Sequence, residues 1–196
     1  MENGYYVLAD GRKVELPEGI CVLKSGDIPT EAVEVYVPKS VVVIEEGCFH
    51  GSDVQKVRFS DGSKLRIIAN NAFDGCNDLK EINFPWFLKY IGTCAFSQTA
   101  LEMVNLGETQ VEYIGDGAFA NCSKLIKVEL PYSLKMVPPV CFYNCRQLMK
   151  INLNDNVKFI ASEAFGCCDD LTKLEGNTRF EYIGEGNYAL KALLDD

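Results

Sequence analysis

Residues 114–148 read IGDGAFANCSKLIKVELPYSLKMVPPVCFYNCRQL, and this stretch contains one pattern twice. Phe119 and Phe142 lie 23 residues apart, and each is followed three residues later by a cysteine. Five residues before each phenylalanine lies an aliphatic residue, Ile114 in the first copy and Val137 in the second. A period of 23 residues predicts a solenoid, in which each repeat forms one turn and packs on its neighbours.

The same pattern extends over most of the chain. An aromatic column, an aliphatic column five residues before it and a leucine column after it recur together. Apolar pairs two residues apart follow the leucine column, such as Val128 and Leu130, and they predict short strands with inward side chains. Stacked repeats would place about eight such strands in one parallel sheet. The aromatic column is Phe49, Phe73, Phe96, Phe119, Phe142, Phe165 and Tyr188.

The length of 196 residues predicts a single domain over residues 1–196. Within it, residues 1–32 are expected to form an N-terminal hairpin cap and a degenerate repeat, with Val14 and Leu16 as the inward pair of that repeat. Residues 33–186 would form about seven repeats of 23 residues. Residues 187–196 are expected to form a C-terminal end or cap, which is also a possible surface for homodimer formation.

Composition excludes several classes of function. The chain has 28 acidic and 19 basic residues, and its net charge of −9 argues against nucleic acid or an anionic membrane as the main partner. No apolar run reaches the roughly 20 residues that membrane insertion needs. His50 is the only histidine, and we find no phosphate-binding, EF-hand or paired-carboxylate pattern. We therefore expect no enzymatic activity, no cofactor and no metal.

Four of the nine cysteines share one position in the repeat, three residues after the phenylalanine. We expect these four to lie in an inward ladder of free thiols, since a thiol packs as a small apolar group. Disulfides between repeats and a metal site remain alternatives. Cys48, Cys94, Cys141 and Cys167 lie near the same phenylalanine and are interpreted in the same way. The ladder residues are Cys76, Cys122, Cys145 and Cys168.

The segment 79–96, LKEINFPWFLKYIGTCAF, and the segment 114–148 resemble the leucine-rich repeat of the BspA-like (Treponema pallidum) class. The resemblance covers about residues 33–190. It implies a right-handed leucine-rich-repeat solenoid with a parallel sheet on its concave face and short turns, 3-10 or helical segments opposite. It also implies a secreted or cell-surface interaction protein. The N-terminal sequence shows no signal peptide, so a cytoplasmic location stays open.

The resemblance places two columns of polar residues on the concave face, where they could bind a protein or glycan ligand. The opposite interpretation is a solvated face that neutralises its own charge. A second candidate is the loop edge, where Trp86 and Tyr132 follow prolines, while Phe87 is expected in the core. A further alternative is an architectural spacer in a longer surface protein. The candidate residues of the face are Tyr36, Lys56, Arg58, Glu81, Asn83, Met103, Asn105, Lys127, Glu129, Lys150, Asn152, Lys173 and Glu175.

Two repeats have longer loops after their first strand, and these loops replace the proline found elsewhere. They are residues 60–63, Ser-Asp-Gly-Ser, and residues 107–110, Gly-Glu-Thr-Gln. Insertions in repeat proteins collect on one face, which is often the binding face. Ordinary variation in the length of surface loops is the other interpretation.

Overall fold

A computed structural model describes residues 4–176 and 178–195, and it shows a solenoid of about seven turns with two short strands in each repeat. The N-terminal hairpin is β1 (Tyr5–Leu8) and β2 (Lys13–Glu15). The second strands are β3 (Val22–Leu23), β5 (Val43–Ile44), β7 (Ile67–Ile68), β9 (Tyr90–Ile91), β11 (Tyr113–Ile114), β13 (Met136–Val137), β15 (Phe159–Ile160) and β17 (Tyr182–Ile183). The first strands are β4 (Ala32–Val37), β6 (Lys56–Phe59), β8 (Glu81–Ile82), β10 (Met103–Asn105), β12 (Lys127–Glu129), β14 (Lys150–Leu153) and β16 (Lys173–Gly176).

The strands of successive repeats pair in parallel, but each of the two faces is divided into two sheets. On the first-strand face, one sheet has the order β2-β1-β4-β6-β8 and the other β10-β12-β14-β16. On the second-strand face, the orders are β11-β9-β7-β5-β3 and β13-β15-β17. The expectation of one sheet of about eight parallel strands is therefore wrong. The first-strand face has seven parallel strands and an interruption between β8 and β10.

Proline accounts for the interruption on the second-strand face. In most repeats, the residue after the inward aliphatic residue donates its N–H to the preceding repeat. The N–H of Gly115 donates to the carbonyl of Ile91 at 2.8 Å, and that of Ala161 donates to Val137 at 2.9 Å. Pro138 stands at this position in the repeat between them and has no N–H to donate. The ladder therefore opens between β11 and β13.

The core is continuous across both interruptions because the phenylalanines stack without a gap. The six rings from Phe49 to Phe165 have centroid separations between 4.6 and 5.5 Å and interplanar angles of 8° or less. The prediction that Tyr188 is the seventh ring of this column is wrong. Tyr188 begins the helix α1 (Tyr188–Asp195) and is 79% exposed. Asn187 is buried instead, and its Oδ1 accepts the N–H of Phe165 at 2.8 Å.

The N-terminal hairpin lies across the edge of the first parallel strand. β1 pairs antiparallel with β2 and with β4, and Asp10 and Gly11 lie in the turn between β1 and β2. The interpretation of Val14 and Leu16 as an inward pair is only half right. Leu16 is buried, but Val14 is 36% exposed because β2 is the outermost strand of the sheet and has no repeat stacked on it.

The cysteine ladder lies inside the solenoid as predicted. Each of its four thiols donates to the carbonyl of the phenylalanine one repeat earlier, at distances of 2.9 to 3.2 Å. Burial raises the pKa of Cys76 to about 11 and that of Cys168 to about 12. All nine cysteines are free thiols. Cys48 and Cys141 are buried, but the same expectation for Cys94 and Cys167 is wrong, since they are half-buried and exposed.

Candidate functional site

The outward side chains of the first strands form one surface, which we call the polar face and which consists of the residues predicted above for the concave side. The parallel register places its lysines in a row, with Lys127 beside Lys150 and Lys150 beside Lys173. Like charges at neighbouring positions of a sheet repel each other, so the row needs nearby carboxylates.

Glutamates of the next column supply this compensation. Glu175 accepts hydrogen bonds from Lys150 at 2.7 Å and from Lys173 at 3.0 Å, and these two contacts lower the pKa of its carboxyl. Glu129 lies 3.7 Å from the Nζ of Lys127. On the sheet that contains β6 and β8, the carboxylate of Glu81 pairs with both Lys56 and Arg58. The polar face therefore neutralises much of its own charge.

Several polar residues of this face already have intramolecular partners. The Tyr36 ring stacks on Tyr5 with centroids 4.3 Å apart, and its hydroxyl donates to Glu34. Asn83 bridges the backbone N–H and carbonyl of Phe59, and Asn105 accepts the N–H of Gly107. These bonds hold the ends of the strands. Asn152 is half-buried, and Met103 is exposed beside the interruption between β8 and β10.

The loop edge contains the two aromatic residues and the two longer loops noted in the sequence. Trp86 is 58% exposed and borders a groove of about 250 Å³ together with the loop of residues 60–63. The carbonyl of Trp86 accepts the N–H of Gln110, which joins the second long loop to this edge. Tyr132 is 68% exposed. The expectation that Phe87 contributes to the core is wrong, since its ring is exposed under the guanidinium of Arg66 at 4.9 Å.

No catalytic constellation forms around the single histidine in the described ranges. His50 is an exposed residue whose Nδ1 lies 3.5 Å from a carboxylate oxygen of Asp74. Residues 4–176 and 178–195 contain no cluster of three side chains able to hold a metal ion. No helix among the same residues is long and apolar enough to cross a membrane.

The second strands carry a surface that the sequence analysis did not single out. In the seven second strands from β5 to β17, an apolar or aromatic side chain points outward one residue before the inward aliphatic residue. We call this column the apolar row. Its exposed members are between 36% and 54% accessible, while Val43 and Tyr90 are half-buried. The row consists of Val43, Ile67, Tyr90, Tyr113, Met136, Phe159 and Tyr182.

The row was visible in the sequence as a fourth column with the same period. An outward position that is apolar in seven successive repeats is unusual, because soluble proteins rarely expose large continuous apolar patches. Within each of the two sheets, parallel strands place neighbouring members about 4.8 Å apart. Tyr90 and Tyr113 are stacked with centroids 4.7 Å apart and an interplanar angle of 5°.

The family model for the BspA type leucine-rich repeat region matches residues 29–122 and 107–194, in six copies. The chain belongs to this family. Members of such repeat families are typically non-catalytic scaffolds with extended binding surfaces. The family assignment confirms the resemblance derived from the two quoted segments, and the stacked parallel strands confirm the predicted solenoid class.

Two solved structures show the same fold at 28% sequence identity. A leucine-rich repeat protein from Bacteroides ovatus matches with a TM-score of 0.76 over 91% of this chain, which spans only 46% of that protein's chain. The leucine-rich repeat protein of T. pallidum matches with a TM-score of 0.63 over 86% of this chain and 87% of its own. No curated protein sequence matches this chain.

Proposed function

We propose that this protein is a non-catalytic scaffold that binds a protein ligand through the apolar row. The observation that carries the proposal is a column of outward apolar and aromatic side chains that recurs in seven repeats and is exposed in five of them. Binding energy in protein interfaces is concentrated in buried aromatic anchors, and tyrosine is enriched among them. Tyr113 on one sheet and Phe159 and Tyr182 on the other supply such anchors.

A protein ligand fits this surface better than a glycan. Sugar rings bind aromatic side chains by stacking on a free ring face. In the row, Tyr90 and Tyr113 stack on each other, so one face of each of these rings is covered. Ring edges and aliphatic side chains instead complement the apolar side chains of another protein.

The polar face and the loop edge are weaker candidates for the main contact. The lysines of the polar face are paired with Glu129 and Glu175, so a ligand would have to replace existing ion pairs. Exposed ion pairs contribute little affinity in any case. The loop edge offers the two exposed rings of Trp86 and Tyr132, which lie in separate repeats. We expect both surfaces to contribute at the periphery of an interface.

Affinity capture with four matched baits tests the proposal. The baits are the wild type, a row variant with Tyr113→Glu and Phe159→Glu, a polar-face variant with Lys127→Glu and Lys150→Glu, and a loop-edge variant with Trp86→Ala and Tyr132→Ala. Circular dichroism first checks that each bait is folded. We expect one protein to bind the wild type and the last two baits, and to be lost from the row variant.

A partner that binds the row variant as well as the wild type would contradict the proposal. Loss from the polar-face variant alone would move the site to the lysines. Capture of nothing by any of the four baits would favour the architectural spacer, because a scaffold without a partner can only set distances. Each result therefore separates one interpretation from the others.

A further inference from the structure

The apolar row contains one opening, at the interruption between β11 and β13. In the other repeats from 66 to 184, three backbone N–H groups donate to the preceding repeat on this face. Between residues 112–114 and residues 135–138 none of the three is made among the described residues. Pro138 cannot donate to Ile114, and the N–H groups of Lys135 and Met136 do not reach the carbonyl of Glu112.

A groove lies at this opening, between β11 and β13. It has a volume of about 540 Å³, and Tyr113 and Met136 form its two exposed apolar walls. Ile114 and Leu134 contribute to its lining. Ser133 closes part of one side, because its hydroxyl donates to the carbonyl of Val111 at 2.6 Å. The groove therefore has an apolar middle with unpaired backbone donors and acceptors along its edges.

The charges around the groove differ between its two ends. Lys135 and Lys158 lie side by side at the amino-terminal ends of β13 and β15, and neither has a carboxylate within 4 Å among the described residues. Glu112 is also at this end, but Lys89 holds its carboxylate at 3.0 Å. Asp116 lies at the opposite end, beyond β11. In a protein of net charge −9, two unpaired lysines beside an apolar groove form a local basic site.

We propose that this groove binds an extended acidic segment of the protein ligand, with an apolar side chain seated between Tyr113 and Met136 and a carboxylate at Lys135. This assignment rests on the proposed function, since the groove is a part of the apolar row. Charge complementarity at the end of the groove formed by Lys135 and Lys158 selects an acidic side chain there, because a basic one would place like charges together. The main chain of an extended segment also offers the donors and acceptors that the opened ladder leaves unpaired.

The proposed binding gives a role to the one repeat of the row that lacks the ladder hydrogen bonds. A paired ladder presents only side chains to a ligand, whereas the opening at Pro138 adds a recess and backbone polar groups at the same place. Affinity in an interface depends on well-packed central pockets more than on area. The groove supplies such a pocket near the middle of the row.

Fluorescence anisotropy with short peptides tests the proposal directly. The probe is a fluorescein-labelled hexapeptide that alternates aspartate with phenylalanine or leucine, and its matched control has lysine in place of each aspartate. We expect the acidic probe to bind the wild type at least tenfold more tightly than the basic control. Lys135→Glu should raise the dissociation constant of the acidic probe by at least tenfold.

Pro138→Ala is the sharpest variant because it restores the missing N–H without adding bulk. Alanine occupies the same position at Ala69 and Ala161, where the N–H is bonded to the preceding repeat. We expect this variant to close the groove, to show a new amide at position 138 that is protected from hydrogen exchange, and to bind the acidic probe far more weakly than the wild type. Lys80→Glu, the same charge reversal at an exposed lysine outside the row and the polar face, should leave probe binding within twofold of the wild type.

The proposal is overturned if the two probes bind equally, or if Pro138→Ala and Lys135→Glu both bind the acidic probe as well as the wild type. These results would leave the broader function untouched. A partner lost from Tyr113→Glu/Phe159→Glu but retained by Pro138→Ala would place recognition on the row outside the groove. A partner retained by all of these variants would instead remove the row as the binding surface.

Discussion

The ring stack predicts a large difference between two substitutions at the same repeat position. Phe119 is fully buried and lies between Phe96 at 5.3 Å and Phe142 at 5.5 Å. Phe119→Ala removes a core ring and leaves a cavity, which costs about 3–5 kcal/mol of the free energy of unfolding. Tyr188→Ala removes a ring that is 79% exposed, so we expect a change within about 0.5 kcal/mol.

Urea unfolding followed by circular dichroism measures both variants. The free energies should be compared at unchanged denaturant slope, since a changed slope would signal loss of cooperativity between repeats. A cost for Phe119→Ala below about 1.5 kcal/mol would mean that the neighbouring rings close the cavity, and that the stack does not hold adjacent repeats together. An equal cost for Tyr188→Ala would contradict its placement outside the stack.

Three further predictions concern strain and the thiols. Val140 is a β-branched residue at φ 49°, and Val140→Asn should raise the free energy of unfolding by about 1 kcal/mol in urea titration, since Asn71 adopts the same conformation at φ 54°. Ellman's reagent should modify Cys21 and Cys167 first in the folded protein, because both are exposed, and a total other than nine after denaturation without reductant would contradict the free thiols. Burial raises the pKa of Cys76 from an ordinary value of 9.0 to about 11, so its stabilising contribution is complete below pH 9 and declines between pH 9 and 11 by up to about 1.4 kcal/mol per pH unit. Burial raises the pKa of Cys168 to about 12, so urea titrations across that range should show a decline to which both thiols contribute.

The repeat period made the fold and the register predictable. Because the spacing between Lys127, Lys150 and Lys173 equals the period, these residues had to lie at one position of successive strands, and the structure pairs them there. The same reasoning placed the ladder cysteines inside. It also placed Glu129 and Glu175 beside the lysines that they neutralise, because both columns belong to one alternating strand.

A period predicts position in the repeat but not the local backbone conformation. Cys167 and Cys168 are adjacent, yet one is exposed and the other buried, because Cys167 adopts φ 56° and turns its side chain away from the core. Asn144 stands one repeat earlier with φ 58°, and asparagine at such a position is a recognisable signal for this conformation. The exposure of Phe87 follows from a different cause, since the next residue, Leu88, fills the core position of this loop in one buried column with Leu65 and Val111.

The interruptions of the sheets show which interactions the fold can lose. Pro138 removes one ladder bond and two more fail beside it, yet Phe119 and Phe142 remain stacked at an interplanar angle of 7° and the N–H of Phe119 still donates to Cys141 at 2.9 Å. The repeats are therefore held in register from the inside, by rings and turn hydrogen bonds. Because the outer ladder is not required for that register, a proline in the outer strand can open a groove without separating the repeats. Surface positions of the solenoid are free to change for binding as long as the inward columns are kept.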